Sequence, residues 1–128
     1  MKTWFWHISL VGFGGMFGSV LRYLVGGWVQ HHLFQAGTFP FGTLAVNICG
    51  CFLIGAGSGM MEIRHLLTPE LRLLLMVGFL GGFTTFSTFG LESWILIRDG
   101  SLLRAAANIV FQVFAGLAAV WLGYSLSQ

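Results

Sequence analysis

Charge is what this chain has least of. Only 8% of its 128 residues are Asp, Glu, Lys or Arg, against roughly a quarter in an ordinary soluble domain. Four are acidic, and the first of these, Glu62, comes almost halfway along. No block of like charge exists, and a formal net charge of +2 is too small to argue for a nucleic-acid partner or a polybasic lipid site. There are two cysteines, Cys49 and Cys51. At i, i+2 in an apolar run they point to different helix faces, with no His or carboxylate at ligand spacing, so they read as plain buried thiols. HExxH and Gly-x-Ser-x-Gly are absent, and no Ser/His or paired-Asp arrangement falls within the apolar runs, which leaves an intramembrane enzyme without support. His31, His32 and His65 fall in polar connectors and read as solvated.

What the chain has in excess is apolar surface: 56% of residues are hydrophobic and the mean hydropathy is +0.85. Crossing a bilayer takes about 20 mainly apolar residues per helix, so the length accommodates four spans and little else. The reading is an all-α membrane protein, a single four-helix domain over residues 1–128 with spans near 4–28, 41–61, 69–97 and 102–125. One basic residue before an apolar run superficially resembles a signal peptide. The run continues past residue 20 without a small-residue cleavage site, so a retained first span is expected. Trp4 and Trp28 bracket it as interfacial aromatics do. Residues 29–40 read as a polar connector, and Pro40 suits the first turn of span 2. Thr68-Pro69-Glu70 offers an N-cap hydroxyl, a first-turn proline and an acid at the positive end of a helix dipole. Asp99-Gly100-Ser101 reads as a turn followed by a cap.

Small residues recur at i, i+4: Gly14 with Gly18, Gly55 with Gly59, Gly78 with Gly82. That spacing lets membrane helices approach closely, although glycine is common in such helices anyway. With Arg22 left out because it lies within span 1, the basic residues divide as Lys2, Arg64 and Arg72 on the side of the termini and Arg98 and Arg104 on the other. A bias so small barely selects an orientation. Two readings follow: one fixed orientation with a poor signal, or insertion both ways up and pairing with an inverted copy. Four helices are also few to enclose a polar route, which favours an oligomer.

Polar groups inside the spans are expensive and functional by default. Arg22 lies about two-thirds along span 1, where it either snorkels to the interface or faces a wet vestibule and attracts anions. Asn47 has Thr43 one turn before it. Its amide either bonds a neighbouring helix or offers N–H donors to a permeating anion. Asn108, Gln112 and Gly116 form one stripe on span 4, which reads as the wall of a water or ion route. The densest anomaly is "GFLGGFTTFSTFG" at 78–90. Gly81-Gly82 invites a helix break, and backbone freed at membrane depth must be buried in protein or line a cavity. Carbonyls of Gly81 and Thr84, doubled by a symmetry partner, would form an oxygen cage for a cation. Phe83, Phe86 and Phe89 share a helix face, with Thr85 and Thr88 beside them. Ring edges are electropositive and suit a small anion, whereas a Phe row seen alone more often packs. Glu92, one turn further, either pairs with an arginine or belongs to a pore mouth.

Three motifs together, Gly18 to Tyr23 as G-x-x-x-R-Y, "GTLAVN" in span 2 and "GFLGGFTTFSTF" in span 3, resemble the Fluc (CrcB) fluoride channels. The resemblance covers nearly the whole chain in span order and motif order, and the span 3 motif is its most specific part. It implies an antiparallel, dual-topology homodimer of four-helix subunits with a broken third helix and two fluoride pores, working as passive fluoride export across the bacterial inner membrane. It implies a central structural Na⁺ on the backbone carbonyls of Gly81 and Thr84. Pore residues by correspondence are Asn47, Phe86, Ser87, Thr88 and Phe89, with Arg22 and Glu92 in the vestibule. Where the family often carries serine or tyrosine in span 4, this chain has Asn108 and Gln112. The alternative is a small multidrug-type dual-topology transporter. That chemistry needs an acid within a span, typically the first, and Glu62 follows span 2.

Overall fold

The computed structural model describes residues 2–33, 37–64 and 68–128. Within them four helical stretches are long and apolar enough to cross a membrane: Thr3–His32, Phe41–Glu62, Pro69–Arg98 and Leu102–Leu126. No strand occurs among the described residues. We label the helices α1 (Lys2–Trp28), α2 (Phe41–Arg64), α3 (residues 69–83), α4 (Phe86–Arg98) and α5 (residues 102–126).

The first difference from the sequence reading is at the end of α1. The polar residues of the expected connector continue the helix as a wider turn over Val29–Leu33. Gln30 explains why. Its Nε2 donates to Phe39 O at 3.3 Å and its Oε1 accepts from Gly42 N at 3.1 Å, so the side chain caps the open amide end of α2. His31 and His32 are on this helical turn and exposed, and the His32 ring stacks on Trp28 with centroids 5.7 Å apart. His65 lies outside the described residues. Pro40 stands just before α2, its carbonyl accepting from Leu44 N at 3.1 Å.

The start of α3 follows its cap sequence: Thr68 Oγ1 accepts from Leu71 N at 3.3 Å, with Pro69 and Glu70 in the first turn. The end of α4 closes differently from expectation. Ser101 makes no side-chain cap. Instead Gly100 takes φ 74°, and Ser101 N donates to Leu96 O and Gly100 N to Ile97 O. That is the Schellman closure, which a glycine at the left-handed position allows.

Glycines set the helix packing. α1 runs alongside α3, where a Cβ on Gly14 would meet Leu74 O, one on Gly18 would collide with Phe79 O, and one on Gly82 would meet Gly15 O. α2 runs alongside α5 in the same way: Gly55 backs onto Val120 O, Gly59 onto Tyr124 O and Gly123 onto Phe52 O. All three i, i+4 pairs therefore lie in contact seams, where van der Waals packing replaces the missing hydrophobic drive. The fully buried set is small, with Val46 and Asn108 at 0% exposure. Much of the remaining apolar surface, including Trp4, Phe13, Phe17 and Leu103, faces outward. Cys51 is half-buried, whereas Cys49 is exposed. It is therefore not the buried thiol expected, because an apolar run in a four-helix membrane bundle turns one side away from the protein.

Candidate functional site

The functional region is built around two extended residues between α3 and α4. Thr84 has φ −83°, ψ 161° and Thr85 φ −153°, ψ 114°, while Gly81 keeps helical angles of −63° and −37°. The helical path therefore lapses at two β-branched threonines, not at Gly81-Gly82. The threonines supply their own compensation. Thr84 Oγ1 donates back to Leu80 O at 2.9 Å. Thr85 Oγ1 accepts from Thr88 N at 3.2 Å and donates to Thr88 Oγ1 at 2.9 Å, capping α4.

The backbone of Thr85 is satisfied from another span. Thr85 N donates to Asn47 Oδ1 at 2.8 Å, and Asn47 Nδ2 donates to Thr85 O at 3.1 Å and to Gln112 Oε1 at 3.0 Å. Asn47 thus ties α2, the interruption and α5 together. Of its two readings, the interhelical bond is the one this arrangement realises. Gln112 Nε2 is buried and has no partner among the described residues, a free donor beside the interruption. Outside the bonds internal to helices, no backbone amide among the described residues donates to the carbonyls of Gly81 or Thr84.

Above this point a cavity of about 770 Å³ extends to the connectors. Arg22, Thr43, Thr85, Thr88, Glu92 and Arg104 all border it. Glu92 Oε1 accepts from Thr43 Oγ1 at 2.6 Å. Its Oε2 is buried without a partner among the described residues. Arg22 and Glu92 share the cavity, but among the described residues the ion pair formed is Arg98 with Asp99, at 2.9 Å.

A family model described as CrcB-like protein, Camphor Resistance (CrcB), matches residues 9–124. The chain belongs to the CrcB-like family. It is 41% identical over 121 residues to the fluoride-specific ion channel FluC of Methylobacillus flagellatus, covering 94% of each chain. The FluC of Hahella chejuensis is 44% identical over 122 residues, 95% of this chain and 94% of the relative. That of Geotalea uraniireducens is 48% identical over 114 residues, 89% and 90% of the two.

Against this family background the remaining candidate residues divide. The expected row of three phenylalanines is split by the interruption. Phe83 is buried and lies parallel to Phe79 at 6.0 Å. Phe86 is 82% exposed, and the half-buried Phe89 meets it edge-on at 5.5 Å. Ser87 is exposed beside them. The span 4 stripe is not one open wall either. Asn108 is enclosed, its Nδ2 donating to Ser93 Oγ at 3.0 Å, and Ser93 Oγ donates to Phe89 O at 2.8 Å. Gly116 is buried against Cys51. A wide turn over Phe111–Ala115 offsets the register between them. Sequence reasoning passed over Gln30 and Ser93 and counted Arg104 only for orientation. Ser93 had a signal, a hydroxyl four residues after Phe89, the spacing at which serine bonds back to a helix carbonyl.

Proposed function

We propose that this protein is a fluoride-selective ion channel, working as an antiparallel dual-topology homodimer with two pores that gives passive fluoride export across the bacterial inner membrane. The observation that carries the reading is the cavity of about 770 Å³ that reaches Thr85 and Thr88, because it brings a polar route from one set of connectors to the helical interruption. The relatives named fluoride-specific support the identity of the ion.

Fluoride is small and strongly hydrated, so a dry passage must replace its water with donors. Beyond the cavity floor these are the hydroxyls of Ser87 and Thr88, the amide of Gln112 and the edges of Phe86 and Phe89, joined by Asn47 Nδ2 when it releases Gln112 Oε1 for the anion. The unpartnered Gln112 Nε2 is the donor most ready to serve. The amide end of α4 adds positive potential at the same depth. Asn108, through Ser93, braces the Phe89 segment behind this path. Arg22 and Glu92 belong to the vestibule.

The open carbonyls of Gly81 and Thr84 fit a hard cation such as Na⁺, which takes oxygen ligands. Gly81 is exposed with nothing within 4 Å of a Cβ there, so a second, inverted copy can add its own pair. A bound Na⁺ would supply a fixed positive charge at the dimer centre.

The test is flux from proteoliposomes loaded with fluoride or chloride. Fluoride is expected to leave passively while chloride is retained. Drug–proton exchange with no fluoride leak would overturn the reading in favour of the multidrug-type alternative.

A further inference from the structure

We infer that Arg104 is a second anion-collecting residue of the vestibule, acting with Arg22 to raise the fluoride concentration at the mouth; this rests on the fluoride-channel reading above. Four charged side chains border the cavity: Arg22, Glu92, Asp99 and Arg104. They are not equivalent. Asp99 is neutralised by Arg98, whose Nε lies 2.9 Å from Asp99 Oδ1. Glu92 is held by Thr43 beside the deeper hydroxyls. Arg104 forms no ion pair with a described residue, so its charge is uncompensated at the rim.

Local structure gives no reason for an arginine at this position. Arg104 is in the first turn of α5, where the positive end of the helix dipole disfavours a cation. Its side chain is exposed, so packing does not demand it. What holds it is a single bond across the mouth, Nη1 donating to Thr38 Oγ1 in the segment before α2. That bond fixes a long, permanently charged side chain over the cavity entrance. The amide end of α2 begins at the same entrance and adds to the positive potential. A low-dielectric funnel with fixed positive charge concentrates anions ahead of the narrow step.

The experiment measures fluoride efflux from proteoliposomes at about 0.01 M and about 1 M ionic strength set by impermeant salts, where the Debye length falls from about 30 Å to about 3 Å. Arg104→Gln is expected to be about threefold slower than wild type at low ionic strength, the scale of one unit charge a few ångströms from the path. The two should converge at high ionic strength. Arg104→Lys should keep wild-type flux at both, and Thr38→Val should give a low-salt rate between those of wild type and Arg104→Gln and converge with both at high ionic strength. Equal rates for Arg104→Gln and wild type at both salts would overturn the inference. So would a deficit that salt leaves unchanged and Lys does not restore, the mark of a structural role. Failure of the wild type itself to pass fluoride would sink the channel reading first, and this inference with it.

Discussion

The side chain of Asn47 and the backbone of Thr85 close a ring: the Thr85 amide donates to Oδ1 at 2.8 Å, and Nδ2 donates to the Thr85 carbonyl at 3.1 Å. A side-chain amide here does for an extended residue what a neighbouring peptide does in a sheet. Backbone polar groups cannot be left open at membrane depth, so one residue of α2 makes the interruption in the third span tenable. The same Nδ2 also donates to Gln112, which links that solution to α5.

Replacing Asn47 therefore tests stability and conduction together. Asn47→Leu leaves the Thr85 amide unpaired and is expected to cost about 1–3 kcal/mol, read as a lower unfolding temperature in detergent. Asn47→Asp keeps the acceptor for Thr85 N but loses both donated bonds and adds negative charge on an anion's route. Its fluoride efflux should fall by about tenfold or more, the order expected of a nearby like charge outside bulk water. Wild-type flux in Asn47→Asp would remove Asn47 from the pore.

Phe86 gives the opposite balance. It is 82% exposed in the single chain, so shortening it opens no cavity within the subunit, and Phe86→Ile should change subunit stability by less than about 0.5 kcal/mol. What it removes is a ring edge beside Phe89, 5.5 Å away. Fluoride efflux is expected to drop severalfold while the dimer persists in size-exclusion chromatography. Unchanged efflux with an intact dimer would contradict the role given to the ring.

The packing seams make a paired prediction that needs no transport assay. A Cβ on Gly18 would strike Phe79 O and crowd Phe83 N, whereas one on Gly12 has nothing within 4 Å. Gly18→Ala should force α1 and α3 apart and cost about 1–3 kcal/mol, as overpacking does. Gly12→Ala should leave stability at or slightly above wild type, since Ala is the better helix former. Equal effects at the two positions would mean that α1 does not approach α3 at Gly18.

These residues also show what a sequence can carry. The i, i+4 glycines were legible because their spacing has one physical use in a helix, and the Thr68-Pro69-Glu70 cap because each residue type suits its position. The interruption was legible in kind but not in place. Gly81-Gly82 looked like its site by propensity, yet both stay helical, because Asn47 arrives opposite Thr85 and pays the cost there. That partner is 38 residues distant in the chain, and no local rule finds it. The span 4 stripe was legible only in part for the same reason: Ser93 encloses Asn108, while Asn47 bonds only the Oε1 of Gln112 and leaves its Nε2 free. Gln30 went unnoticed because its purpose, capping α2, exists only once α1 and α2 pack.

The last prediction concerns the second copy. With Arg22 left out as lying well inside the first span, the basic residues at the span ends are Lys2, Arg64 and Arg72 on the side of the termini and Arg98 and Arg104 on the other. Arg98 is paired with Asp99, but orientation follows the count of Lys and Arg and not net charge, so that pairing leaves the near balance intact. A chain so poised should insert both ways, and reporters fused after Gln128 should be found on both sides of the membrane. Two lysines added after Gln128 should fix one orientation, and two lysines inserted between Gly100 and Ser101 the other. Each fixed form alone should lose fluoride efflux, because an inverted partner is missing, and co-expression of the two should restore it. Full efflux from either fixed form alone would show that a chain of one orientation suffices, and the antiparallel dimer would have to be abandoned.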